Sequence, residues 1–409
     1  MQEAPEALAM GLRALYVSSF ALPHYGGMSR VFFEEFERLL KRGVEVKGLC
    51  ERPEKGGLRP PSGIDLEYFR FNFRRFLIGK LIELAFRIPQ VRRALRTGRF
   101  DVCHAHDPYA ALYCALAGSK GIVLTLHSIL SLDPFIMERG YWGQPPFRKF
   151  LLLLNFLIDR FIELLAYNLA RSIICVSEWE MEGARGLVLN KGKLALLRNG
   201  VDAEAFKPSE ELRRRARERL GLRGDEVVLL FIGRMVPKEG PLTIAMAGAR
   251  VLREFERAVL VFAGDGPERG KCERFLRELG LGHRAKFLGE VDAREIIHAG
   301  DISIKSASRL FDGFGLAALE SMACGIPTIL GRDGITSKVF GGGGALLVEK
   351  DDPEALAEAI GALIANEGLR ASIGAEGRRR VEEEFSIERR VDRLMRILFP
   401  TGGGAGAAD

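Results

Sequence analysis

The stretch EVVLLFIGRMVPKEG, Glu226 to Gly240, is apolar from Val227 to Ile232, then turns abruptly to glycine, arginine and a Pro-Lys-Glu-Gly run. A short, mainly aliphatic run bounded by turn residues reads as a strand buried on both faces. Strands of that kind belong to parallel sheets covered by helices, and ligands gather beyond their carboxyl ends. Whether the rest of the chain repeats the pattern decides the fold.

It does. In the second half Ala258–Gly264, Ala285–Gly289, Asp301–Ile304, Ile326–Leu330 and Ala345–Val348 read as further strands. In the first half the candidates are Arg13–Ser19, Val44–Cys50, Asp65–Phe69, Asp101–Ala105, Ile122–His127, Ser172–Ser177 and Lys193–Leu197. Helical patterns lie between them, which argues for an α/β chain with two doubly wound parallel sheets. The break is NGVDAEAFKPSEE, Asn199 to Glu211, with turn residues, a proline and then a charged helix. The expected division is residues 1–200 and 209–385 for the two domains, 386–399 for a closing helix and 400–409 for a small-residue tail expected to be disordered.

The chain has 409 residues, 47% apolar and 28% charged, which is ordinary for a soluble globular protein of two or three domains. A net charge of +6 gives a mild preference for anionic partners. The six cysteines are scattered without zinc spacing and read as reduced core thiols, so a cytoplasmic location is expected. The first residues, MQEAPEALAM, carry acids and no basic leader, unlike a secretory signal. No uncharged apolar run is long enough to span a bilayer. No nucleic-acid-binding motif is present, and nucleic acid is not an expected partner.

The polar loops at strand ends hold the candidate site residues. Gly26-Gly27-Met28-Ser29 precedes an amphipathic helix from Arg30 to Arg42; it suits close approach to an anion, or a plain turn capped by Ser29. His104 and His106 share one side of a strand with no evident third ligand, so polar hydrogen bonding is expected there rather than metal. His127 opens a loop after an apolar strand and suits a hydroxyl-rich ligand. Arg234 and Lys238 suit a diphosphate, or are surface cations. Gly264-Asp265-Gly266-Pro267 is a tight turn. In FDGFGLAALESMACG, Phe311 to Gly325, the run after Gly315 reads as a helix start whose backbone N–H groups favour an anion. Asp312 stands ahead of that helix and Glu320 lies within it.

Together, GGMSRV, DVCHAHD, LTLHS, IICVSE, LLRNGVDAEAFKP, FIGRMVPKEG, VFAGDGPE, FDGFGLAALESMACGIPTI, ALLVEKDDPEALAEAI and EEFSIERRVDRL, in this order, resemble the family-4 glycosyltransferases of the GT-B fold (glycosyl transferases group 1). The resemblance implies two Rossmann-like domains facing across a cleft, with the last helix crossing back to the first domain. It implies a retaining, metal-independent hexosyltransferase that uses a nucleotide-diphosphate sugar, UDP or GDP type, and no cofactor. Carried onto this sequence, Gly27 would approach the donor phosphates, and His127 would hydrogen-bond the transferred sugar. Arg234, with Lys238, would bind the diphosphate. Phe314, Gly315 and Leu316 would turn their backbone to the phosphates, Glu320 would hold the ribose, and Asp312 would take the place of the first of two spaced glutamates.

Three departures from the family pattern fall on the donor half. Asp312 replaces a glutamate and is shorter by about 1.5 Å. Lys238-Glu239-Gly240 stands where Glu-Lys-Gly is usual, which puts an acid in place of the phosphate lysine. DGITSKV, Asp333 to Val339, lacks the acid often found before the final strand. These keep two rival readings open: a non-catalytic nucleotide- or glycan-binding relative, and a sugar-nucleotide epimerase on the same fold.

The acceptor side is marked by Tyr68 to Phe100, with nine Lys/Arg and one Glu interleaved with apolar residues. It fits peripheral contact with an anionic membrane, or a solvated helix face. The membrane reading makes the acceptor a lipid-linked sugar or glycolipid and the enzyme peripheral at the inner face; without it a sugar acceptor serves equally. Phe147 to Leu169, more apolar still, is expected to be a core helix.

Overall fold

The computed structural model describes residues 11–22, 27–52, 60, 63–69, 77–131, 145–305 and 315–400. Among these residues the strands form two all-parallel sheets. The first holds β1 (Arg13–Ala21), β2 (Glu45–Glu51), β3 (Asp65–Tyr68), β4 (Val102–Ala105), β5 (Ile122–Leu126), β6 (Ser172–Cys175) and β7 (Leu194–Leu196), in the order β3-β2-β1-β4-β5-β6-β7. The second holds β8 (Val227–Ile232), β9 (Ala258–Ala263), β10 (Ala285–Phe287), β11 (Ile302–Lys305), β12 (Thr328–Gly331) and β13 (Leu346–Val348), in the order β10-β9-β8-β11-β12-β13. Every strand expected from the sequence is present, with ends shifted by a residue or two.

Parallel neighbours cannot be joined by hairpins, so most strands are followed by a helix that returns over a face of the sheet. With both faces covered, β5 and β9 are buried at every residue. One core gathers Leu15, Val17, Leu124, Leu126 and Ile173. The other gathers Leu229, Phe231, Leu260, Phe262 and Ile329. In each sheet the strand order reverses once, at β1/β4 and at β8/β11. At such a point the crossovers leave in opposite directions, and a crevice opens beyond the strand ends.

The described residues fall into two compact units: one takes those up to Asn199 together with those from Glu388 onward, and the other takes those of Gly200–Ile387. The Ile387–Leu398 helix thus returns nearly whole to the first unit. Its Arg390, 3% exposed, gives Nε to Glu35 Oε1 at 2.8 Å and Nη1 to the carbonyl of Arg198 at 2.8 Å. Arg38 and Arg42 of the Gly27–Lys41 helix reach its Glu388 at 2.9 and 2.7 Å. The tail from residue 401 lies outside the described residues.

The Pro146–Leu169 helix departs from expectation. Leu152, Ile162, Ala166 and Tyr167 are buried, but Phe147, Phe150, Leu153, Leu157, Phe161 and Leu164 are exposed. The helix covers the core with one face and presents an apolar stripe with another.

Candidate active site

In the second unit the site begins where β8 ends. The Gly233 N–H donates to the Ala263 carbonyl at 3.0 Å, Met235 N–H to Asp265 at 2.8 Å and Glu268 N–H to Met235 at 3.0 Å. Two strand-end loops are thereby laced together. Only glycine permits it: a side chain at Gly264 (φ 144°) would place its Cβ 1.9 Å from the Gly233 carbonyl oxygen. Met235 is buried as an anchor, and the neighbouring Arg234 is left exposed at the strand end.

Next comes a single 3₁₀ turn, Pro237–Glu239, closed by Gly240 at φ 67°. Consecutive side chains on a 3₁₀ turn diverge by about 120°, so Lys238 and Glu239 part company. Both are buried. Glu239 forms an ion pair with Lys305, the last residue of β11. Burial pushes the Glu239 carboxyl up, but the charges of Lys305, then Lys238 and Arg234, together with the Lys305 hydrogen bond, outweigh it and hold it below its ordinary value. The acid at 239 therefore stays ionised and is occupied by a cation.

Lys305 spans the β8/β11 reversal. A Cβ on Gly233 would lie 3.1 Å from its Nζ, and one on Gly315 would lie 3.8 Å away. Gly315 caps the Leu316–Ala323 helix without a side-chain hydrogen bond, and no acid stands in that helix's first turn. Glu320, one turn in, is 1% exposed. Arg234, Lys238 and Gly315 thus surround the Lys305–Glu239 pair, with Leu316 and Glu320 following on the same helix. Asp312 and Phe314 lie outside the described residues. Asp333 is used locally: it makes a capping box at the start of the Gly334–Phe340 helix and pairs with Lys350 at 2.8 Å. The sequence reading passed over Lys305; the signal was a lone charge ending the otherwise uncharged run ISIK.

In the first unit the Gly27–Lys41 helix starts at Gly27, earlier than expected, so Ser29 is buried inside its first turn instead of capping it. Gly27 is exposed. Asp107 ties β4 to β1: it accepts from Ala110 N–H at 2.8 Å as the cap of the Pro108–Leu116 helix and from Ser19 N–H at 2.7 Å. Beside it, His106 Nδ1 lies 3.1 Å from His127 Nε2, and His104 Nε2 lies 2.7 Å from Thr125 Oγ1. Burial, with the charge of Arg390, pushes His127 down to about 3. Burial likewise drives His104 and His106 well below the ordinary imidazole value. All three are neutral at pH 7; His104 and His106 are buried, and His127, half-buried, is the one of the three placed to meet a ligand hydroxyl.

Glu35 supplies the carboxylate that the sequence reading did not find near the histidines: ligand atoms of Glu35, His104 and His106 lie within 4.8 Å of one another. Glu35 Oε1, however, already accepts from Arg390 at 2.8 and 2.6 Å. A metal cation would have to share this carboxylate with a guanidinium, so the cluster fits a polar hydrogen-bonding knot better than a metal centre.

Comparison with known proteins gives these features a context. Residues 213–380 match the model described as "Glycosyl transferases group 1", and residues 25–205 match "Glycosyltransferase Family 4". A D-inositol 3-phosphate glycosyltransferase of Geodermatophilus obscurus is 35% identical over 90% of this chain and 84% of its own length. A GDP-mannose-dependent alpha-(1-6)-phosphatidylinositol monomannoside mannosyltransferase of Mycolicibacterium smegmatis is 29% identical over 49% of this chain, which spans 54% of that protein. The structure of Anabaena HepE, solved with UDP and glucose, superposes with a TM-score of 0.75 at 19% identity, covering 95% of this chain and all of that one. With two parallel sheets of this order and sequence similarity along both halves, the chain belongs to the family-4 glycosyltransferases of the GT-B fold, enzymes that take a sugar from a nucleotide-sugar donor.

Proposed function

We propose that the protein is a retaining, metal-independent hexosyltransferase that moves a hexose from a UDP- or GDP-type sugar to a sugar or lipid-linked acceptor. The observation that carries this reading is the cationic strand end at the β8/β11 reversal, where Arg234 and Lys238 stand beside the Gly315-capped helix. Cations and a helix N-terminus stabilise the negative charge that develops on a leaving diphosphate. The C1–O bond to the diphosphate breaks, the diphosphate keeps the electron pair, the acceptor hydroxyl oxygen bonds C1 from the same face, and its proton passes to the departing diphosphate oxygen. For Glu320, Gly27, His127 and Asp312 we keep the roles implied by the family: ribose binding, approach to the donor phosphates, a hydrogen bond to the transferred sugar, and the place of the first glutamate. The acid at 239, which on sequence alone favoured a non-catalytic relative, is neutralised by Lys305, and this supports the enzyme.

The acceptor class draws support from the mycobacterial relative, named for a phosphatidylinositol monomannoside acceptor. No helix among the described residues is long and apolar enough to cross a membrane. Contact would be peripheral, at the cytoplasmic face. It would use the basic segment 68–100, of which Arg92, Arg93 and Arg96 are exposed, and the apolar stripe of the Pro146–Leu169 helix.

Calorimetric titration with UDP, GDP, ADP and their sugars tests the donor. Micromolar binding of one nucleotide is expected, and Arg234→Ala and Glu320→Ala should each weaken it. Normal binding by both variants would overturn the placement of the donor. Product anomeric configuration by NMR, and activity retained in EDTA, test the mechanism.

A further inference from the structure

We infer that Lys305 supplies the ammonium facing the donor diphosphate in this protein, and that Glu239 is its built-in counter-ion. The inference rests on the nucleotide-sugar reading of the second unit and names a residue that the family pattern does not.

The first argument is position. β11 lies beside β8 in parallel register, Ile302 opposite Leu229 and Ser303 opposite Leu230. Lys305 therefore ends its strand at the rim of the reversal crevice, across from Gly233 and Arg234. Its ammonium sits close to two glycines, Gly233 and Gly315, where a side chain would crowd it. It also lies over the buried Phe231 ring, 5.7 Å from its centroid, within cation–π range.

The second argument is electrostatic. A cation beside a helix N-terminus is unfavourably placed unless an anion intervenes. Glu239 is that anion here, and it is shared with Arg234 and Lys238. Lys305 has three N–H donors, so its bond to Glu239 leaves others for phosphate oxygens. The carboxylate both fixes the ammonium and remains ionised because of it.

The third argument is complementarity. The loop Lys238-Glu239 reverses the usual acid-lysine order, and a lysine stands opposite the misplaced acid. The sequence order has changed, yet a cation remains at the crevice. A buried ion pair contributes little to stability over an apolar pair of the same size, so packing alone is a weak reason for placing both charges here.

The experiment compares a nucleoside diphosphate with its parent nucleoside, UDP with uridine or GDP with guanosine, whichever pair the wild type binds. Calorimetry is run on the full chain, on Lys305→Met and on Lys305→Met/Glu239→Gln. The double variant removes both charges of the Lys305–Glu239 pair together and guards against misfolding of the single one. The wild type is expected to prefer the diphosphate. Both variants should lose at least about tenfold of that preference, with nucleoside affinity held within about threefold. A packing role would move both ligands together. If the double variant keeps the full preference, the assignment of Lys305 is overturned. If the wild type binds no nucleoside diphosphate, the donor reading itself falls, and this inference with it.

Discussion

The two strand-order reversals have the same topology and opposite chemistry. At β1/β4 the strand ends carry neutral imidazoles, with the nearby carboxylate of Glu35 already neutralised by Arg390. At β8/β11 they carry Arg234, Lys238 and Lys305 around a single ionised Glu239. The fold supplies two crevices of one kind, and side chains decide what each can hold. Neutral donors and acceptors suit a hydroxyl-rich sugar, whereas concentrated positive charge suits a diphosphate.

The comparison breaks most directly at its charged end. Arg234→Ala should weaken nucleoside diphosphate binding by about 100-fold, the range expected for losing a charge-assisted hydrogen bond. Binding of the parent nucleoside should hardly change. Unchanged diphosphate binding in calorimetry would mean that the second reversal is not the phosphate site. At the neutral end, His127→Ala should lower kcat by roughly 30-fold, about 2 kcal/mol for a lost positioning hydrogen bond. Nucleotide affinity should remain within about threefold. A loss of affinity in place of rate would erase the distinction between the two regions.

Acid separates the regions in another way. His104, His106 and His127 have folded values far below the unfolded value near 6.5, so the unfolded chain binds more protons as pH falls. Their contribution to stability is complete above about pH 6.5 and is lost below it. Glu35 and Asp107 act in the opposite direction, since burial raises both, and offset part of the loss. Glu239 is held down, so its contribution persists until pH falls below about 4.5. Between pH 6.5 and 5 the first unit should therefore lose stability while the contribution of Glu239 to the second persists. Hydrogen exchange should quicken at β4 before β11. A His104→Gln variant should flatten the first unit's pH slope. Simultaneous loss of protection at both strands would contradict the assignment.

Most of the fold was legible because buried parallel strands are written as compact apolar runs. EVVLLFIG and LTLHS announce both the strand and its polar end. The candidate site was legible in position, though not in role, where one residue stands at a strand end or a helix start, as with Arg234 and Gly315. It was not legible where chemistry comes from pairing distant positions. Glu239 looked like a repelling acid because its partner ends β11, three strands beyond β8 in chain order though adjacent to it in the sheet. Glu35 was invisible beside the histidines for the same reason: a residue on an amphipathic helix gives no sign of which strand it will meet. The fate of the Pro146–Leu169 helix was hidden by composition, because an apolar residue reads alike whether it packs inward or faces out.

That helix gives the smallest of the expected effects and another contrast between the units. Helices on the second unit, such as Glu367–Glu384, are laced with exposed pairs like Arg379 with Glu376 at 2.7 Å. On the first unit Phe147, Phe150, Leu153, Leu157, Phe161 and Leu164 follow one another at helical spacing along about 25 Å of surface. The Pro108–Leu116 helix packs against this helix and also against Leu77–Gly98, which carries the exposed Arg92, Arg93 and Arg96. An apolar stripe with arginines on the same unit has the composition of a surface that rests on anionic lipid: rings enter the acyl boundary and cations meet headgroups. Phe150→Ser should then reduce partition onto vesicles of anionic phospholipid by about tenfold, roughly the transfer free energy of one aromatic side chain. Nucleotide binding should stay at the wild-type level. Raising salt should weaken the wild type and the variant by the same factor, since the substitution leaves the arginines in place. Equal partition of wild type and variant in a co-sedimentation assay would show that the stripe is not the lipid contact, and the contrast between the units would then be one of composition alone.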